Sequence, residues 1–360
     1  MPLLVVCLVS DPPIYNYLGG VLKNPDAIVW LRTYRQKNMI TQVENAIKTQ
    51  HSPTFENREV KENEIEEFIA RCEGIIKDYP EHDIALNASG GARMQALLAT
   101  EVFKKANKEV FYIDSEHSRL VDVRSGEYKT FHFTLTVNEY IALHGIDMEA
   151  GTRFDPEIGK RSSLSYFIIN NCDQIVPFID RIRPEWIDMG DNKLDREWKL
   201  EHPVARFSIQ YEAPSKKMRF RFGADDRMRS MEIDTVGDNF IFNGGWLREL
   251  VFLRVHRSQY DDVRLDTRIK RETLPNGQRA ESMIDIAMMK GCHFYIFQCF
   301  SYPITRESFI ELSAIHTTTA LLHARGFIFT AHRPHRAFLE RASESNMTVI
   351  SGKRIGYFSI

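Results

Sequence analysis

No apolar run in the sequence approaches the roughly 20 residues that a membrane-spanning helix needs. The first ten residues also carry neither a basic start nor a small-residue cleavage site. These absences argue against a membrane-embedded or exported protein and lead to the expectation of a cytoplasmic one. Cysteine is scarce: Cys7, Cys72, Cys172, Cys292 and Cys299 are odd in number, scattered and mostly set in apolar surroundings. That pattern argues against a disulfide framework and fits reduced core thiols. Cys292 and Cys299 lack companion histidines at zinc-finger spacing, which argues against a structural zinc. A surplus of charge is missing as well, because 47 basic residues face 49 acidic ones for a net charge of −2. Without a global positive field, any contact with nucleic acid has to come from local basic patches. Repeats and low-complexity tracts are not found. What remains is an ordinary globular composition, 43% hydrophobic and 27% charged, in a chain of 360 residues. That length is enough for two hydrophobic cores.

In the first part of the chain, short apolar runs alternate with helical patterns. Residues 3–9, 27–32, 84–87 and 110–114 read as strands. Residues 39–50, 62–78 and 92–106 read as helices, the second with Ile65, Phe68, Ile69, Cys72, Ile75 and Ile76 on one face. Strands that are apolar throughout and alternate with helices indicate a parallel sheet covered on both sides. A hairpin pattern, 119–124 and 128–134 around Ser125-Gly126, closes this part, and 136–145 reads as a capped helix ending at Gly145. Periodicity then weakens. Residues 147–238 read as a connecting region with some helix and a hairpin, of winged-helix-like character. In it Lys217, Arg219 and Arg221 alternate with Met218, Phe220 and Phe222, as on a half-buried strand whose basic face is either solvated or contacts phosphate. The last part, 239–360, reads as an α/β unit: a helix over 245–256, strands over 263–270, 282–289 and 293–300, a helix over 306–323, a strand over 327–331, a helix after Pro334 and a final strand over 348–351.

Two loops stand where open α/β sheets place their ligands, at the carboxyl ends of predicted parallel strands. The first runs Ser10-Asp11-Pro12-Pro13-Ile14-Tyr15-Asn16 and the second Asn87-Ala88-Ser89-Gly90-Gly91-Ala92-Arg93-Met94. Gly90 and Gly91 let the backbone come close to a ligand, and the helix opening near Ala92 offers N–H groups to an anion. Ser89 suits a cap or a phosphate, and Arg93 supplies positive charge. The blander alternative is that the glycine pair is only a turn. The spacing matches neither the dinucleotide GxGxxG fingerprint nor the P-loop. These residues point to an anionic, nucleotide-like ligand and no further.

With these loops the sequence resembles the CARF (CRISPR-associated Rossmann fold) proteins, specifically those fused to a restriction-type nuclease domain. In that family the first strand leads into a loop ending in Asn, as residues 10–16 do here. A later strand leads into a Thr-Gly-Gly-Thr-Lys type loop, here with Ser89, Ala92 and Arg93 replacing Thr, Thr and Lys. The likeness continues through 135–145, similar to the family's connector, and through Gly245-Trp246-Leu247. It implies a Rossmann-like ligand-binding domain over 1–146 that takes cyclic oligoadenylate as a homodimer. The residues implied at the ligand are Ser10, Asp11, Asn16, Ser89, Gly90, Gly91, Ala92, Arg93 and Met94.

The resemblance also implies a PD-(D/E)xK nuclease fold over 239–360. Such a site needs a helical acid, a strand Asp and a Glu-x-Lys strand that together hold a divalent ion, Mg or Mn, and activate water. The chain departs from that pattern three times. Arg248 stands at the helical acid, with Glu249 one position on and rotated about 100° around the helix. Gln298 replaces Glu, and Phe300 replaces Lys, although Lys270 or Lys290 could reach in from neighbouring strands. Asp285 alone keeps its place. The degenerate constellation Glu249, Asp285 and Gln298, with Asp285 as metal ligand, leaves open a binding protein without cleavage, a metal-dependent nuclease of DNA or RNA with a rearranged site, and a ring nuclease using Ser10, Ser89 and Arg93. His332-Arg333-Pro334-His335-Arg336 reads either as a solvated turn or as a contact to nucleic-acid backbone.

Overall fold

A computed structural model describes residues 1–61, 64–190, 193–203, 205–224, 227–234, 236–257, 260–273 and 279–360. The chain forms two compact units. The first holds Met1–Met148 with Ile269–Glu281 and Met289–Phe294, and the second holds Glu149–Arg268, Ser282–Met288 and Tyr295–Ile360. It is an α/β protein, with a Rossmann-like N-terminal part followed by further α/β sheets.

The first unit is built on β1 (Leu3–Leu8), α1 (Ile14–Val21), β2 (Ala27–Arg32), α2 (Lys37–Lys48), β3 (Thr54–Glu59), α3 (Ile65–Asp78), β4 (Asp83–Asn87), α4 (Arg93–Lys105), β5 (Glu109–Asp114), β6 (Arg119–Asp122), β7 (Tyr128–Thr130) and α5 (Val137–Leu143). Its sheet has the order β3-β2-β1-β4-β5-β6-β7, parallel through β5 and closed by an antiparallel hairpin. Successive side chains of a strand point to opposite faces. Leu4, Val6 and Leu8 therefore join Phe68, Cys72, Ile75, Ala99 and Phe103 of α3 and α4 in one core, while Val5 and Cys7 lie buried on the other face. Burial pushes the Cys7 thiol up to about 12, as suits an inert core thiol. The predicted strands and helices of this unit are all present. Three elements are additional: α1, inside the first predicted loop, a 3-10 turn at Tyr34–Gln36, and the polar edge strand β3. The helix expected from Glu62 begins at Ile65, and Glu62 and Asn63 lie outside the described residues.

After β8 (Asp147–Thr152), the second unit contains α6 (Pro156–Asn170), α7 (Cys172–Asp188), β9 (Arg196–Leu200), β10 (Arg206–Glu212), β11 (Lys217–Gly223), β12 (Arg229–Ile233), α8 (Gly237–Phe242) and α9 (Gly245–His256). Then come β13 (Asp262–Thr273), β14 (Arg279–Lys290), β15 (His293–Phe300), α10 (Arg306–Leu321), β16 (Arg325–Thr330), α11 (Arg336–Glu344) and β17 (Met347–Ser351). Strands β9–β12 form an antiparallel sheet in the order β12-β11-β10-β9, and a six-stranded sheet runs β17-β16-β15-β14-β13-β8. Residues 147–238 are thus more ordered than their weak periodicity implies. Helices α6 and α7 contribute Leu164, Ile168, Ile175, Phe178 and Ile179 to the same core as Trp246, Leu250 and Phe252 of α9. On β11, Met218, Phe220 and Phe222 are buried, as the alternation predicts. Two of the three cations on its basic face are paired: Lys217 with Glu232 and Asp234, and Arg219 with Glu212 and Glu232, while Arg221 is exposed. No helix among the described residues is long and apolar enough to cross a membrane.

Candidate functional site

Strands β1 and β4 are hydrogen-bonded parallel neighbours, so the loops that follow them leave the same edge of the sheet side by side. Asn16, almost fully buried in α1, folds the first loop back on itself. Its Nδ2 donates to the Ser10 carbonyl at 2.7 Å, and its Oδ1 accepts the Ser10 N–H at 3.2 Å. Asn87 does the same for the second loop. Its Nδ2 donates to the Tyr15 carbonyl at 3.1 Å, and its Oδ1 accepts the Ser89 N–H at 3.1 Å. Ser89 Oγ in turn accepts the Ile113 N–H at 2.7 Å, tying the loop to β5 and leaving the hydroxyl proton to donate. A third loop joins through the Tyr15 hydroxyl, 3.2 Å from Ser115 Oγ.

The glycine pair is packed tightly. A Cβ on Gly90 would lie 2.1 Å from the Leu8 carbonyl oxygen and 2.8 Å from Ser10 Oγ. Gly91 has φ +78°, and a Cβ there would lie 2.8 Å from Leu8 Cβ. Only glycine allows this approach, so substitution at Gly91 would disturb the loop as well as any ligand. Ser10 Oγ is buried without a hydrogen-bond partner among the described residues. Helix α4 opens directly after the pair. Its first N–H groups have no acceptor within the helix, the Ala92 N–H meets Gln95 Oε1 at 3.4 Å, and Arg93 and Met94 are exposed. Asn87, Tyr15 and Ser115, absent from the sequence-derived set, hold the loops together. Asn87 and Tyr15 lie inside the two loops that the sequence singles out, whereas Ser115 carried no sequence signal.

In the second unit, Asp285 on β14 is 5% exposed. Its Oδ2 accepts the Cys299 N–H at 2.7 Å, and Gln298 Oε1 lies 3.5 Å from the Asp285 nitrogen. The strand Asp and the Gln are therefore neighbours. Burial pushes the Asp285 carboxyl up to about 7, against the pull of the Cys299 N–H and Arg248. Glu249 points elsewhere, into a two-pronged pair with Arg161 on α6, with Nη2 at 2.7 Å and Nε at 3.0 Å. Burial raises its carboxyl too, with Arg161 opposing. Arg248 Nη1 stands 3.1 Å from Asp266 and 3.8 Å from Asp285. The Phe300 ring is wholly buried, edge-on to Tyr302 and Phe338. Lys270, which belongs to the first unit, pairs there with Glu281. A pocket of about 190 Å³ is lined by Asp155, Arg161, Arg248, Glu249 and Asp266 among others. Groups of three or more His, Cys, Asp or Glu able to hold a metal are not found among the described residues. In the basic cluster after β16, His332 Nε2 is 3.3 Å from Asp180 and from the Ser301 carbonyl, His335 caps α11, Arg336 pairs with Glu340, and Arg333 is exposed.

Residues 4–140 match the family model of the Card1 CARF domain, the segment that carries both loops. The N-terminal part is a CARF domain. No curated protein sequence matches the chain. Among solved structures, the chain with its CARF domain is similar to protein VC1899 from Vibrio cholerae, with a TM-score of 0.77, 14% identity, and coverage of 98% of this chain and 95% of that one. It is similar to Can2 from Sulfobacillus thermosulfidooxidans, solved with cyclic tetra-adenylate, with a TM-score of 0.74, 15% identity, and coverage of 98% and 94%. A type III CRISPR defence DNA nuclease activated by cyclic oligoadenylate gives a TM-score of 0.56 at 14% identity, with this CARF-containing chain spanning 50% of its length. At such identities the likeness is one of fold.

Proposed function

We propose that this chain binds a cyclic oligoadenylate through the loops after β1 and β4, as a cytoplasmic homodimer in CRISPR-linked defence, and that its restriction-type second part does not cut nucleic acid. In this reading residues 1–146 bind the ligand, 239–360 carry the nuclease-like fold, and 147–238 lie between them. The observation that carries it is the seating of Gly90 against Leu8 and Ser10 at the mouth of α4. That geometry sets a hydroxyl without a partner among the described residues, a close backbone and a helix N-terminus side by side, the donors that a ring of phosphates requires. The CARF match over 4–140 and the cyclic tetra-adenylate in the similar Can2 structure support the choice of ligand. Arg93, exposed in the first turn of α4, adds a cation at the rim. Asp11 lies in the same loop as Ser10, and Asn16 acts by holding that loop's shape.

Arg93→Glu is the variant of choice, since its side chain is exposed and the change reverses charge without touching the packed glycines. Calorimetric titration with cyclic tetra- and hexa-adenylate is expected to show wild-type binding, and at least about a 10-fold loss in the variant, from one charge-assisted contact turned repulsive. Light scattering should give the mass of a dimer. Unchanged affinity in Arg93→Glu, or no binding of either ring by the wild type, would overturn the assignment.

A further inference from the structure

A divalent ion bound by carboxylates needs several oxygens converging on it at about 2.0–2.6 Å. In the second unit, the space between the two aspartates best placed for this is taken. Arg248 Nη1 lies 3.1 Å from Asp266 Oδ1 and 3.8 Å from Asp285 Oδ1, so one guanidinium nitrogen serves both carboxylates. The other oxygens nearby are engaged as well: Asp285 Oδ2 with the Cys299 N–H and both Glu249 oxygens with Arg161. An arginine cannot give up its charge in a protein. An ion held by either aspartate would sit beside a permanent cation in a part-buried pocket, where like charges repel strongly. The residues present therefore do not fit a divalent metal.

We propose that Arg248 is the resident cation of this site, a tethered guanidinium standing in place of a divalent ion, and that its removal turns Asp266 and Asp285 into a metal site. The arrangement is consistent with Phe300, whose buried ring leaves no room for an ammonium group at that strand position. Three losses that look like separate decay in the sequence then describe one site rebuilt around an internal charge. The role of Arg248 is separate from ligand binding and holds whether or not the first unit takes cyclic oligoadenylate.

The test uses the full chain at pH 8, with manganese as the probe. Free Mn²⁺ is followed by electron paramagnetic resonance, and stability by thermal unfolding. The variants are Asp285→Asn, Arg248→Ala and the double change Arg248→Ala with Asp285→Asn. At about 1 mM Mn²⁺ the wild type is expected to bind none at this site, with Asp285→Asn leaving its response unchanged. Arg248→Ala should melt lower without metal, bind one Mn²⁺ at least about 10-fold more tightly than the wild type, and regain melting temperature as Mn²⁺ is added. The double variant should lose that recovery. Should Arg248→Ala not be obtained folded, Arg248→Gln keeps most of the volume, removes the charge and gives the same readout. Wild-type Mn²⁺ binding that Asp285→Asn weakens, or an Arg248 variant that gains none, would overturn the proposal.

Discussion

Asp285 shows how one residue type changes meaning with its surroundings. As an aspartate on a strand it could have been a surface residue or a metal ligand. In the fold it is a buried carboxyl held near a pKa of about 7 chiefly by desolvation. Between about pH 4 and 7 the native state keeps this proton while the unfolded chain has lost it, so stability falls as pH rises through that window and levels off above it. Asp285→Asn should flatten the slope. Above pH 7 it should be more stable than the wild type by a few kcal/mol, since each tenfold change in proton affinity is worth about 1.4 kcal/mol. Urea denaturation at pH 4.5, 6 and 8 checks this, and parallel wild-type and variant curves would count against it. The same scale explains why Glu249 misleads in sequence. Its partner Arg161 lies 88 residues away, and no local pattern announces the pair.

Among elements, helix α5 is the clearest case of local sequence deciding structure. Thr136 Oγ1 accepts the Glu139 N–H at 3.2 Å, and Glu139 Oε2 accepts the Thr136 N–H at 2.7 Å, a reciprocal cap that the Thr-x-x-Glu spacing foretells. With only seven residues, the helix has little else to offset its nucleation. Thr136→Ala is expected to cost about 1 kcal/mol by chemical denaturation; a cost near zero would mean that burial of Val137, Tyr140, Ile141 and Leu143 suffices. Helix α7 is the opposite case. Pro177 and Pro184 lie inside it, where a sequence reading ends a helix, yet burial of Ile175, Val176, Phe178, Ile179, Ile182 and Trp186 keeps it continuous. Strand β3 escaped notice because an edge strand needs no apolar alternation, and Thr54–Glu59 is mostly polar.

For the whole molecule, two compact units mean two partly independent stabilities, so a ligand of the first should not act uniformly on the chain. At about 100 times its dissociation constant, cyclic oligoadenylate should stabilise the unit that binds it by about 2.7 kcal/mol. Scanning calorimetry of wild type and Arg93→Glu is the measurement. A gain of equal size in both proteins would place the ligand elsewhere.

The sequence by itself determined the parallel α/β character of the first unit, its β1 and β4 loops and the boundaries of α9 and β15. These follow from short-range periodicity, glycine chemistry and caps, which a linear chain displays. Only the tertiary structure decided that Asn16 and Asn87 lock the loops together, and that Gly90 admits no side chain because of Leu8 and Ser10. It alone placed Arg248 between Asp266 and Asp285 and paired Glu249 with Arg161. The physical reason is the same throughout. Charges, close approaches and hydrogen bonds between residues far apart in the chain depend on distances of a few ångström, and those distances exist only once the sheets have formed.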